Sequence, residues 1–241
     1  MNSSFVDEDE PLIQVVGDKK PRSVSLEDAA DVVADKSPSS GIPNRLAMLN
    51  LSYVFLVAAV LLTAGFAMLH VAAPPTRTFI NATFLLSCVL WLYGFTLLLQ
   101  WTRALPGPTD TWGLVAASCK WIASVLFCVQ PVTALWADSW GCAWSNLAGI
   151  CCFHLGNCVS VLAMRKMFVF NAPLSFANLP VYGMWCYFSA TTLLVIANTC
   201  FYAQIPWSAT AEFAAVQIAG GSFLVLGSLL FIYWAGCVRF L

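Results

Sequence analysis

The chain has 241 residues, 60% of them hydrophobic and 10% charged, with a formal net charge of −1. Soluble domains sit at roughly 45–50% apolar and about 25% charged, so most of this chain is excluded from facing water. The near-zero net charge leaves no basic surface of the kind that binds nucleic acid.

Charge is spread unevenly. Nine of the twelve acidic residues lie at or before Asp35, and only Asp110, Asp138 and Glu212 follow Arg45. Residues 1–44 are rich in Ser, Pro, Asp and Lys and hold no sustained apolar run, which predicts a disordered tail. The opening residues are acidic and lack an apolar h-region, so they do not read as a cleaved signal peptide. Ser25 and Asp28 resemble a capping box leading into AADVVAD, a segment too short to be helical alone.

From residue 45 onward apolar segments recur at about 46–72, 79–101, 112–136, 140–164, 181–204 and 212–237. Each reaches the ~20 residues needed to cross a ~30 Å hydrocarbon core. A bilayer offers no water to the backbone, so such segments must be helices. The predicted fold class is therefore all-α: a polytopic bundle of about six transmembrane helices over residues 45–241, with the lipid bilayer as its surroundings. Orientation follows from the basic residues near the span ends. Arg45, Arg103, Arg165, Lys166 and Arg239 fall on one side and Arg77 on the other, which predicts that both termini are cytosolic. Asn81-Ala-Thr matches a glycosylation sequon but abuts the second span, and is expected to stay unmodified.

The tail carries the sharpest motif. Glu8-Asp9-Glu10-Pro11-Leu12-Ile13 places an acid four residues before an aliphatic pair. It resembles the acidic dileucine sorting signals of endosomal, lysosomal and vacuolar membrane proteins. The resemblance implies that clathrin adaptor complexes bind Glu8, Leu12 and Ile13 from the cytosol. It also implies residence in an internal membrane rather than the plasma membrane.

Ionisable residues inside spans are candidate sites by default. Lys120 lies eight residues into the third span, and His154 about ten residues from the matching end of the fourth. Both therefore sit roughly 12–15 Å deep. Ser124 is the i+4 partner of Lys120, and Asn157 the i+3 partner of His154. Together they form a candidate polar site that would bind a polar or anionic solute or pass a proton. The plainer alternative has Lys120 snorkelling to the interface and His154 as a neutral hydrogen-bonding residue. On the fourth span Ala148, Cys152, Gly156 and Ser160 recur every four residues, the small-residue pattern that lets helices approach closely. This seam is expected to pack within the bundle or to join protomers of a homo- or hetero-oligomer. Pro131 and the Gly220-Gly221 pair mark expected kinks.

No HExxH, Gly-x-Ser-x-Gly or P-loop pattern occurs, and the spans hold no deep carboxylate pair. The cysteines inside the spans read as packing residues, without metal-ligand spacing. Neither an enzyme, a cofactor nor a metal is expected. Two readings follow. The first is a non-catalytic multi-pass protein of an endosomal, lysosomal or other vesicular membrane, acting through helix packing and partner proteins. The second is a small-solute or ion transporter using the buried Lys/His/Asn cluster.

Overall fold

The structure, a computed structural model, describes residues 45–70, 76–104, 111–137, 143–203, 205 and 211–237. Six long helices fill them: α1 (Arg45–Leu69), α2 (Arg77–Ala104), α3 (Thr111–Ala137), α4 (Ala143–Met164), α5 (Leu179–Tyr202) and α6 (Ala211–Cys237). Among the described residues there is no strand. All six are long and apolar enough to cross a membrane. The shortest, α4, has 22 residues and so extends roughly 33 Å. The expected tail over residues 1–44, with Glu8, Leu12 and Ile13, lies outside the described residues, as does Arg239.

The outer surface explains why these helices need lipid. Tyr53, Val57 and Val60 on α1, Leu86 and Tyr93 on α2, and Leu226, Leu229 and Tyr233 on α6 are exposed large apolar side chains at helical spacing. A water-facing protein does not carry such stripes on all its helices. The chain is a multi-pass integral membrane protein.

The helices form an up-and-down ring. Each packs against its neighbours in sequence, and α6 closes the ring against α1. In lipid the hydrophobic effect does not press helices together, so close contact and interhelical hydrogen bonds must hold them. Each of the six interfaces carries such a bond. Ser87 donates from α2 to the Ala58 carbonyl of α1 at 2.7 Å, and Trp121 of α3 donates to Thr96 of α2 at 3.1 Å. Lys120 of α3 donates to Ser160 of α4 at 2.8 Å, and Asn146 of α4 to Asn198 of α5 at 3.1 Å. The hydroxyls of Tyr187 on α5 and Ser228 on α6 stand 2.7 Å apart. His70, just past α1, meets Gln217 of α6 at 2.9 Å.

Close approach is sharpest in two pairs. A β-carbon on Gly156 would fall 3.0 Å from the Ala116 carbonyl oxygen, so α4 crosses α3 there almost backbone to backbone. A β-carbon on Gly227 of α6 would fall 2.9 Å from the Gly183 carbonyl oxygen of α5. The Gly220-Gly221 pair, the expected kink in α6, lets it touch both neighbours. Gly220 meets Leu194 of α5 and Gly221 meets Thr63 of α1, while α6 runs on unbroken. The helix α3 likewise continues through Pro131.

The α4–α5 connection is ordered by one amide. Asn178 is fully buried. Its Oδ1 accepts from the Val169 amide at 2.8 Å. Its Nδ2 lies within donating distance of the carbonyls of Val169, Ala172 and Pro173. Tyr182 of α5 donates to the Pro173 carbonyl at 2.6 Å.

Candidate functional site

A ring of six helices leaves a lumen, and here the lumen is divided in two. We name the end at which α1 begins the proximal end and the opposite end distal. A proximal cavity of about 550 Å³ takes lining residues from all six helices, as does a distal cavity of about 360 Å³. Both volumes fall within the ~300–1,000 Å³ range of small-molecule sites.

The two are separated by stacked rings. Phe55 of α1 packs against Trp91 and Phe95 of α2, with ring centroids 5.1 and 4.9 Å away. Trp91 meets Phe153 of α4 edge-on at 5.6 Å and Tyr187 of α5 at 6.1 Å. Phe95 meets Phe153 edge-on at 5.5 Å. Edge-to-face and offset pairs of this kind are favourable beyond their packing area. Phe153 lines both cavities, Trp91 the distal one, and Phe55, Phe95 and Tyr187 the proximal one. Together these rings are a partition across the middle of the lumen.

The two chambers differ in chemistry. The distal one has an apolar floor and a collar of polar groups, His70 just past α1 and Asn81, Gln130, Asn146, Asn198 and Gln217 from the other five helices. No Lys, Arg, Asp or Glu lines it. Asn146 reaches both Asn198 and the Tyr202 hydroxyl. Asn81 is buried in this wall, so the folded bundle hides the sequon, as expected from its place in the span. The proximal chamber is apolar, with aromatic and methionine side chains and one cation, Lys120. Lys120 is only 5% exposed. Its Nζ donates to Ser160 Oγ at 2.8 Å and approaches the Met184 sulfur at 3.9 Å. Its side chain runs toward the proximal end, with Cγ beside Gly156 and Nζ on Ser160 one turn further, and it stays buried.

The sequence grouped Lys120, Ser124, His154 and Asn157 as one polar site; the structure divides them. Ser124 is buried but donates to the Trp121 carbonyl of its own helix at 2.6 Å. His154 points to α5, where Nδ1 lies 3.0 Å from Thr191 Oγ1 and the ring tilts over Phe188. Asn157 shares that partner: its Nδ2 reaches Thr191 Oγ1 and the Tyr187 carbonyl, each at 3.4 Å, and its Oδ1 is buried without a partner. His154 and Asn157 therefore meet at Thr191, in the α4–α5 contact, and neither lines the two cavities. The physical reason is helical rotation. Gly156 faces α3, and His154, two residues earlier, stands about 200° round the helix.

The small-residue seam holds in part. Gly156 packs on α3, and Ser160, one turn on, receives the Lys120 bond. Cys152 packs against the buried core. Ala148 departs from it: it is exposed, and its neighbour Gly149 makes the contact with Phe127 and Ala123 of α3. The drift arises because four-residue steps overshoot a 3.6-residue turn. Among the described residues no group of three or more His, Cys, Asp or Glu could hold a metal ion.

No family model, curated protein or solved structure matches the chain.

Proposed function

We propose that this protein is a transporter that carries a small organic solute through its lumen, with the aromatic partition as the gate. One observation carries the reading: two cavities of ligand size, each walled by all six helices, meet end to end at a thin layer of rings. Transport needs no covalent chemistry, in keeping with the absence of catalytic motifs in the sequence. The Lys120/His154 pair does not support the reading; the lumen does. The alternative of a protein acting only through helix packing loses one support, because the Gly156 seam is occupied by α3 inside the bundle.

The membrane is proposed to be an internal one. The support is the tail motif of Glu8, Leu12 and Ile13, which clathrin adaptors would read. The excess of basic residues at the proximal end supports cytosolic termini, so the proximal chamber would open toward the cytosol.

The test is thiol labelling in membranes, with the native cysteines replaced by Ala or Ser. Thiol reagents act on the thiolate, which forms in water and not in lipid. Single cysteines at Ser52 (proximal wall) and Asn198 (distal wall) should react with a membrane-impermeant thiosulfonate from opposite faces. A cysteine at lipid-facing Val60 should not. Failure of both lumen positions to react would end the transport reading.

A further inference from the structure

We infer that the proximal chamber is a binding site for the carboxylate of an amphipathic organic acid, held by Lys120, which Ser160 positions, with its apolar body in the chamber. The inference rests on the lumen reading and names its substrate class.

Among the described residues the Lys120 amine has no carboxylate partner. Glu212 is the only acidic residue among those described, and it stands at the start of α6, at the distal end. An ammonium has three N–H donors. Ser160 takes one, and the Met184 thioether is a weak second acceptor. A charge this deeply buried is costly unless an anion with hydrogen-bonding oxygens compensates it. Among the described residues no such anion stands beside it, and a cavity opens there. A bound carboxylate would supply the missing charge and accept from Nζ, which Ser160 holds in place while its own hydroxyl donates to the Gly156 carbonyl at 2.9 Å.

The rest of the wall says what the carboxylate is attached to. Phe95, Leu98, Trp101, Met164, Phe231 and Trp234 line the chamber beside Lys120. Aromatic and thioether surfaces of this kind suit a hydrocarbon body, and methionine adapts to chains of varied shape. A small hydrophilic anion such as phosphate would leave most of this wall unpartnered. The same chemistry could come from a free acid or from the carboxylate-bearing headgroup of a membrane lipid. The enclosure of the chamber by all six helices favours the free acid.

The experiment uses the full chain in phosphatidylcholine nanodiscs and the fluorescent polyene acid cis-parinaric acid. Energy transfer from Trp101 and Trp234 reports occupancy, with empty nanodiscs as blank. The wild type should bind saturably. Lys120→Met should weaken binding roughly tenfold or more, the scale of a lost charge-assisted bond, Lys120→Arg should retain it, and Ser160→Ala should weaken it less. Palmitate should compete and hexadecanol should not. Equal binding by Lys120→Met, or equal competition by hexadecanol, would overturn the inference. Displacement by phosphatidylserine but not by palmitate would overturn it in favour of a lipid headgroup. Binding lost while lumen thiols still react would sink this inference alone; unreactive thiols would sink the transport reading beneath it.

Discussion

Trp91 of α2 and Tyr187 of α5 meet edge-to-face across the lumen, their ring planes at 89° and their centroids 6.1 Å apart. Trp91 also packs on Phe55, Phe95 and Phe153, so it joins the rings of the partition. Trp91→Ala should therefore join the two cavities. Liposomes holding the variant should swell several-fold faster in isosmotic glycerol than those holding the wild type. Tyr187→Phe keeps the ring and loses only the Ser228 bond, so it should swell at the wild-type rate and lose about 1 kcal/mol or less of stability. Equal swelling by all three proteins would show that the rings do not set the barrier.

The α3–α4 crossing predicts an asymmetric response along α4. Gly156→Val would drive a branched side chain into Ala116 and Lys120. The cost should be about 1–3 kcal/mol or more, seen as a lower melting temperature and loss of the monodisperse peak in detergent. Ala148→Val adds the same bulk on an exposed face and should leave both unchanged. If the two variants behaved alike, the seam would not lie where Gly156 puts it.

Asn178→Ala removes one side chain that serves three carbonyls and one amide of the α4–α5 connection. At about 1 kcal/mol for each net hydrogen bond, the connection should loosen markedly. Hydrogen exchange of the Val169 amide should quicken while the transmembrane segments keep their protection. Unchanged exchange at Val169 would contradict the geometry.

His154→Phe tests the separation of His154 from Lys120. It should leave lumen labelling and acid binding as in the wild type and change stability by less than about 1 kcal/mol, the usual size of a hydrogen bond between membrane helices. A loss of binding equal to that of Lys120→Met would rejoin the two residues in one site.

Leu12→Ala with Ile13→Ala in the tail should move the protein from internal membranes to the cell surface, read by microscopy of a tagged chain. Unchanged location would remove the sorting signal from consideration.

Much of the architecture was readable in advance because lipid makes a blunt demand. A run long enough to cross and apolar enough to stay is a helix, and α1 to α6 follow the apolar runs. The depth of Lys120 could also be counted off along its span. What could not be counted was rotation. In a soluble helix the polar stripe tells which side faces out, but α4 is apolar toward lipid and toward neighbours alike. His154 and Lys120 therefore looked like companions at equal depth, and only the turn of α4 about its axis assigns Ser160, not His154, to Lys120. The distal collar was missed for another reason. Asn81, Asn146 and Asn198 lie within about two turns of a helix end at one side of the bilayer, a shared level visible in the sequence. Their convergence depends on the order in which the helices close into a ring. The rings of Phe55, Trp91, Phe95 and Phe153 carried no signal at all, since aromatic residues face lipid as readily as they face one another.

That closed order has a consequence for how the protein is made. Contacts between sequence neighbours can form as each new helix is made, whereas the α1–α6 pairing joins the two most distant helices described and must wait for α6. Until α6 arrives, the groups meant for the lumen stand open to lipid like the inside of a horseshoe, with Lys120 among them. Arrival of α6 is thus the step that closes the lumen around Lys120. The meeting of His70 with Gln217 is a contact that only the closed ring can make.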